Sequence, residues 1–274
     1  MPIFGYFSTL LKYTLLLPLV AGVYGQVFVD FNTIGDMDTE FSTSAVSGLW
    51  TSPTETGGGL SGTNGMGPGP LLASAQVWTY DDAFAGDTAS WTVGYYFREW
   101  YLIFNTGTLS VGFTTDATPA HSTLGLPANS LGLILKQSTS GSESIALTNM
   151  GSELASASIG NISSGGSWFF LELSVVYNSG PDNYTLTGRL YNSSSTGVLG
   201  SLRNSVSTTT SNTLLSADPD AYLFLGTNGS PNVRTLDNFS STVTPIPEPS
   251  EVGLIFGVFV VLGSLLYRKL KPGP

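Results

Sequence analysis

The sequence contains no cysteine and a single histidine, His121. Disulfide frameworks, thiol chemistry, cysteine zinc sites and multi-histidine metal sites are therefore excluded. Charge is scarce as well: 10% of the 274 residues are Asp, Glu, Lys or Arg, against roughly 25% in an average soluble domain. Cations are the scarcer sign. Nine Lys and Arg face 19 Asp and Glu, and the net charge of -10 argues against nucleic acid as a partner. No capped amphipathic helix of ten or more residues can be read anywhere in the chain. What is present is 33 Gly, 12% aromatic residues and a hydrophobic content of 41%, unevenly distributed.

Near the N-terminus, Lys12 precedes the apolar run Tyr13 to Val23. Val23 and Gly25 stand three and one residues before a cut ahead of Gln26. This is the outline of a signal peptide over residues 1–25. An uncleaved anchor is the alternative, disfavoured by Pro18 inside the run and by the strand-like sequence that follows. At the other end, Val252 to Tyr267 is apolar or small on every face and is closed by Arg268, Lys269 and Lys271. At ~1.5 Å per residue the run reaches about 24 Å, a few Å short of the ~30 Å hydrocarbon core. It predicts a transmembrane helix over 252–267, with bilayer thinning or snorkelling closing the gap. The three cations assign the tail, 268–274, to the cytoplasmic side, so the middle of the chain is exported.

The exported part, residues 26–243, is long enough to bury a core of its own without disulfides. Its apolar pattern has period two. Phe169, Leu171, Leu173, Val175 and Tyr177 fall on one face of the run Ser167 to Tyr177. Tyr184, Leu186 and Leu190 alternate with Thr185, Thr187 and Arg189, and Asn178-Ser179-Gly180-Pro181-Asp182 between the two runs has hairpin chemistry. Further strands are expected around 27–31, 71–80, 90–97, 109–114, 131–136, 144–149, 197–202, 222–226 and 234–243, with 57–70 as a long loop. The pattern predicts an all-β, two-sheet sandwich, most simply closed as a jelly roll.

Between the sandwich and the helix lies a linker, residues 244–251, that contains Ile246-Pro247-Glu248-Pro249-Ser250. Pro-Glu-Pro, an apolar helix and a terminal basic cluster, in that order, resemble the PEP-CTERM sorting signal of Gram-negative and related bacteria. The resemblance implies that an exosortase, a membrane-embedded cysteine transpeptidase-like enzyme, recognises Pro247, Glu248 and Pro249 and removes the helix. Pro247 and Pro249 hold the segment extended, which suits a protease. A plain linker before a permanent anchor is the alternative.

Val29-Asp30-Phe31-Asn32, Trp168-Phe169-Phe170-Leu171-Glu172-Leu173-Ser174-Val175 and Leu236-Asp237-Asn238-Phe239-Ser240 together resemble the concanavalin A-like, laminin-G-like jelly rolls found ahead of such signals. The resemblance implies that a Trp-led strand precedes a hairpin strand and that the Asp-Asn-aromatic segment forms the last strand. The glycosidase branch of that fold carries a Glu-x-Asp-x-x-Glu strand, and no such string occurs here. Glu172 is a lone acid among aromatics, and His121 reads as a loop residue, so no catalytic residue is assigned and the protein is not read as an enzyme.

Asp36, Asp38 and Glu40 alternate behind Gly35, and Asp81 with Asp82 ends an aromatic strand. These are the calcium candidates, with solvated turn acids as the default since neither group fits an EF-hand loop. Trp50, Trp78, Trp91, Trp100 and Tyr101 offer rings for stacking on sugars, though five Trp in a β protein mostly pack the core. The expectation is a non-enzymatic surface or extracellular-matrix protein of a biofilm-like polymer, processed by an exosortase. A carbohydrate-binding module of the same fold, with or without calcium, is the alternative, and a polysaccharide-degrading enzyme ranks third. Four of the nine cations lie in the two targeting segments. The exported part keeps five cations against 17 acids, a charge near -12.

Overall fold

The computed structural model describes residues 24–31, 41–43, 54–55, 59–66, 76–80, 84–85, 89–99, 107–117, 126–137, 142–162, 166–178, 180–211, 220–229 and 233–245. Tyr24–Thr244 forms one compact unit. Its strands, in chain order, are β1 (Tyr24–Val29), β2 (Phe41–Thr43), β3 (Thr54–Glu55), β4 (Gly65–Met66), β5 (Gln76–Tyr80), β6 (Phe84–Ala85), β7 (Ala89–Glu99), β8 (Gly107–Thr114), β9 (Ser130–Lys136), β10 (Glu143–Asn149), β11 (Ser152–Gly160), β12 (Trp168–Asn178), β13 (Asn183–Ser193), β14 (Leu199–Ser211), β15 (Asp220–Gly229) and β16 (Val233–Pro245). Sheet A runs β14-β13-β12-β7-β16-β4-β3, with β1 also on β16. Sheet B runs β11-β10-β9-β8-β15-β5-β2, with β6 also on β15. The all-β, two-sheet jelly-roll expectation is met. β7 lies beside β12, and β8 beside β15, so long crossovers interleave the two sheets.

The alternation read from the sequence faces the core. Phe169, Leu171, Leu173 and Val175 of β12 are buried, and Tyr177 packs at the rim. They meet Leu109, Val111 and Phe113 of β8 and Leu131, Leu133 and Leu135 of β9, all buried. Each such side chain contributes roughly 1.5–3 kcal/mol. Trp91 ties the sheets together, its ring edge-on to Phe113 (4.8 Å between centroids) and to Tyr184 (5.4 Å). Gly188 lies where a Cβ would overlap Leu133 Cδ1 from the facing sheet, so glycine sets the sheet separation there.

The β12–β13 hairpin forms as expected, and its register sets Trp168 opposite Ser193 through Asn178 opposite Asn183. β10 and β11 are joined by Met150-Gly151, both at positive φ (50° and 76°), the signature of a tight hairpin turn. The last strand contains Asp237-Asn238-Phe239, as the resemblance implies, and it pairs with the first, Val29 opposite Phe239. β1 opens at Tyr24, two residues ahead of the expected cut.

Three readings are corrected. β11 was not expected; it is an edge strand with a largely exposed, polar surface. β14 runs to Ser211, nine residues past the expected end. The stretch read as a loop over 57–70 contains a 3-10 turn at Leu60–Gly62 and β4, whose Met66 pairs with Leu236.

The central strands of sheet B, β8 and β9, are buried on their outer face too. Phe224 lies over Gly112, where a Cβ would stand 2.8 Å from the ring, and Leu126 covers Gly132. The cover is pinned by Thr79, whose hydroxyl donates to the Ala117 carbonyl at 2.6 Å, and by Ser130, which donates to Pro127 at 2.7 Å.

The signal-peptide core, the sorting motif Pro247-Glu248-Pro249, the helix 252–267 and Arg268, Lys269 and Lys271 lie outside the described residues. Among the described residues, no helix is long and apolar enough to cross a membrane.

Candidate functional site

The outer face of sheet A is ordered in bands, because the period-two alternation of each strand is held in register by its neighbours. The first band is aromatic. Phe170 stands opposite Tyr96 of β7 on one side and Tyr191 of β13 on the other, with ring centroids 4.6 and 6.5 Å apart. Leu202 of β14 follows Tyr191 and is 49% exposed. Phe170 is buried, whereas Tyr96 and Tyr191 are half-buried.

The second band is ionic. Glu172 faces Arg189, which donates from Nη1 to Glu172 Oε1 at 2.8 Å. Burial raises the Tyr191 phenol above its ordinary pKa, the Glu172 charge adds to this, and Arg189 opposes it. The third band is hydroxylic: Thr92, Ser174, Thr187 and Ser207 stand opposite one another across four strands. Thr242 of β16 extends it through a 2.6 Å hydroxyl contact with Thr92. Val176, Thr185 and Thr209 form a fourth band beyond it.

One end of this face is closed by two loops. The β13–β14 turn reaches over the aromatic band, where the Tyr96 hydroxyl donates to the Gly197 carbonyl at 2.8 Å. The Leu60–Gly62 turn meets it, the Ser61 amide donating to the Ser195 carbonyl at 2.6 Å. That turn is anchored in turn by Asp237, whose two carboxylate oxygens accept the Leu60 and Asn238 amides at 2.6 and 2.7 Å. Burial pushes the Asp237 carboxyl up to about 6; the two amides pull it down and the nearby Asp30 charge pushes it further up.

Glu172, singled out in the sequence as a lone acid, is thus half of an ion pair. Trp91 and Trp168 are buried packing residues, as expected of most Trp here. His121, Trp50, Trp100, Tyr101 and the calcium candidates Asp36, Asp38, Glu40, Asp81 and Asp82 lie outside the described residues, as does the side chain of Trp78. Among the described residues, no cluster of three or more His, Asp or Glu side chains is arranged to hold a metal ion. Sequence reasoning did not single out Tyr191 or the hydroxyl band. The available signal was the polar half of the β13 alternation, Thr185-x-Thr187-x-Arg189-x-Tyr191.

No protein-family model matches the sequence, and no curated protein matches it. Solved structures match the domain. Lectin II from Ulex europaeus aligns with a TM-score of 0.51 at 10% identity, covering 81% of this chain and 99% of that one. The domain has a legume-lectin-like fold. Peanut lectin in complex with a nine-residue peptide aligns with a TM-score of 0.50 at 11% identity over 81% of this chain and 99% of its own. A protein of unknown function from Shewanella oneidensis aligns at 0.50 and 13% identity over 88% and 95%. At these identities the likeness shows the fold alone, a two-sheet jelly roll.

Proposed function

We propose that the protein is an exported carbohydrate-binding protein whose lectin-like domain holds a polysaccharide on the outer face of sheet A. The observation that carries this reading is the half-exposed Tyr191 ring beside the Glu172–Arg189 pair, bordered by a band of hydroxyls. An apolar ring face next to directional donors and acceptors is what a sugar requires, since a pyranose has an apolar face and a hydroxylated rim. The fold supports the same reading: a structurally similar lectin is described in complex with galactose (TM-score 0.50, 10% identity). We therefore place binding ahead of the purely structural matrix role that composition alone favours.

The delivery route implied by the sequence completes the proposal. Residues 1–25 direct export, and Arg268, Lys269 and Lys271 orient the precursor in the membrane. An exosortase acts at Pro247-Glu248-Pro249, leaving the mature domain at the cell surface or in the extracellular polymer.

A glycan array probed with the wild-type chain and with Tyr191→Ala tests the binding. At least one glycan class should be retained by the wild type and weakened about tenfold in the variant, the 1.4 kcal/mol scale of one well-packed contact. A flat response across neutral and acidic glycans would overturn the proposal.

A further inference from the structure

We propose that the ligand is a neutral, extended polysaccharide that lies across the strands of sheet A along the hydroxyl band Thr242, Thr92, Ser174, Thr187 and Ser207. This rests on the carbohydrate reading above and adds the class and direction of the ligand. The band crosses five strands, β16, β7, β12, β13 and β14. Four inter-strand steps of ~4.8 Å give a line of about 19 Å, several sugar rings long. A ligand held by one terminal sugar would use one part of such a line.

The hydrogen-bonding state of the band sets the chemistry of its partner. Ser207 Oγ donates to the Leu186 carbonyl at 3.0 Å, so the Thr187 hydroxyl, 3.0 Å from Ser207 Oγ, supplies the proton between the two. Both protons are then committed inward, and the remaining lone pairs face solvent as acceptors. Thr92 and Thr242 share one proton between them, leaving one donor and further acceptors outward. Acceptors of this kind match sugar hydroxyls, which donate. A carboxylate or sulfate accepts only and would oppose them.

Charge points the same way. The ion pair bordering the band is internally neutral, with Arg189 committed to Glu172. The exported part as a whole carries five cations against 17 acids, so a polyanion approaches against its field. The exposed Ser205, Ser207 and Thr209 of β14 add hydroxyls without adding charge.

Titration calorimetry on the full chain with oligosaccharides of increasing length tests the proposal. The neutral probes are β-linked glucose, α-linked glucose and mannose series; the acidic probe is an alginate series. At least one neutral series should gain about tenfold or more in affinity from the disaccharide to the hexasaccharide and change little between low and high salt. Combined Thr187→Val and Thr92→Val should lower hexasaccharide affinity about tenfold, and Thr187→Ser with Thr92→Ser, which keep the hydroxyls, should restore it. These side chains are on the surface, and unchanged thermal midpoints separate loss of binding from loss of fold. Tighter, salt-sensitive alginate binding, affinity that saturates at a monosaccharide, or valine variants that bind as the wild type does would each overturn this inference while leaving carbohydrate binding in place. No binding by either class would overturn both.

Discussion

The Asp237 carboxylate accepts the amide of Leu60, 177 positions away in sequence, at 2.6 Å. Through this bond the last strand holds the turn that leans on the tip of the β13–β14 hairpin. The folded-state carboxyl, at about 6, lies above its ordinary 3.8. The folded chain therefore binds this proton more tightly than the unfolded chain does. The stabilisation is complete below pH 3.8, fades as the pH rises towards 6, and is absent above it.

Asp237→Asn removes the titration, so the wild type should gain stability over the variant as the pH falls from 7 to 4. One unit is about 1.4 kcal/mol, so the gain stays below about 3 kcal/mol and shrinks with solvent screening. Thermal midpoints of the two proteins across that range check this. A difference that stays flat with pH would rule it out.

Gly188→Ala should destabilise the domain by about 1–3 kcal/mol, because its Cβ overlaps Leu133 across the core. Leu133→Ala alone should cost about 2–5 kcal/mol through the cavity it leaves. The double variant should be more stable than the sum of the two losses, since each change makes room for the other. Urea unfolding of all four proteins gives the coupling directly.

The two long edge strands, β11 and β14, are tied to one another by side chains. Asn204 donates to the Ser158 carbonyl at 2.6 Å and Arg203 to the Asn161 carbonyl at 3.0 Å. These bonds occupy backbone acceptors that would otherwise pair with another chain. Replacing both Arg203 and Asn204 by Ala should cost about 1 kcal/mol in stability. Light scattering at matched concentration should also show increased self-association; unchanged scattering would count against edge protection.

Arg189→Ala breaks an ion pair whose side chains are 32% and 23% exposed. Its cost in stability should stay below about 1 kcal/mol. Glycan affinity should fall about tenfold, because Glu172 beside the Tyr191 ring loses the partner that neutralises and orients it. Measuring midpoint and affinity on the same preparation separates the two effects.

The sequence exposed the central strands well, and the edges poorly, for one reason. β12 and β13 are buried on one side, so Phe169, Leu171 and Leu173 alternate against Glu172 and Ser174 and declare a strand. β11 buries Ile159 fully and Ala155 and Ala157 only in part, so its alternation with Ser156 and Ser158 rests on small residues and stands out weakly. The candidate site was half legible. Glu172 stood out by composition, but its meeting with Arg189 follows from a register of which the sequence shows only the hairpin turn. A slip of one residue would have sent Arg189 into the core. The hydroxyl band was harder still, since its five members come from five strands dispersed between positions 92 and 242.

The position of β16 inside sheet A has a mechanical consequence. A tether drawn from its Pro245 end pulls along the strand axis, and β16 is flanked by β1 and β7. Such a load shears the flanking ladders along their length instead of peeling them one bond at a time. A ligand held on the same sheet passes tension to the tether through β7 and β16, without crossing the apolar layer between the sheets. With the proposed ligand on sheet A and a tether beyond Pro245, the lifetime of the domain under drag would be set by how slowly that ladder gives way.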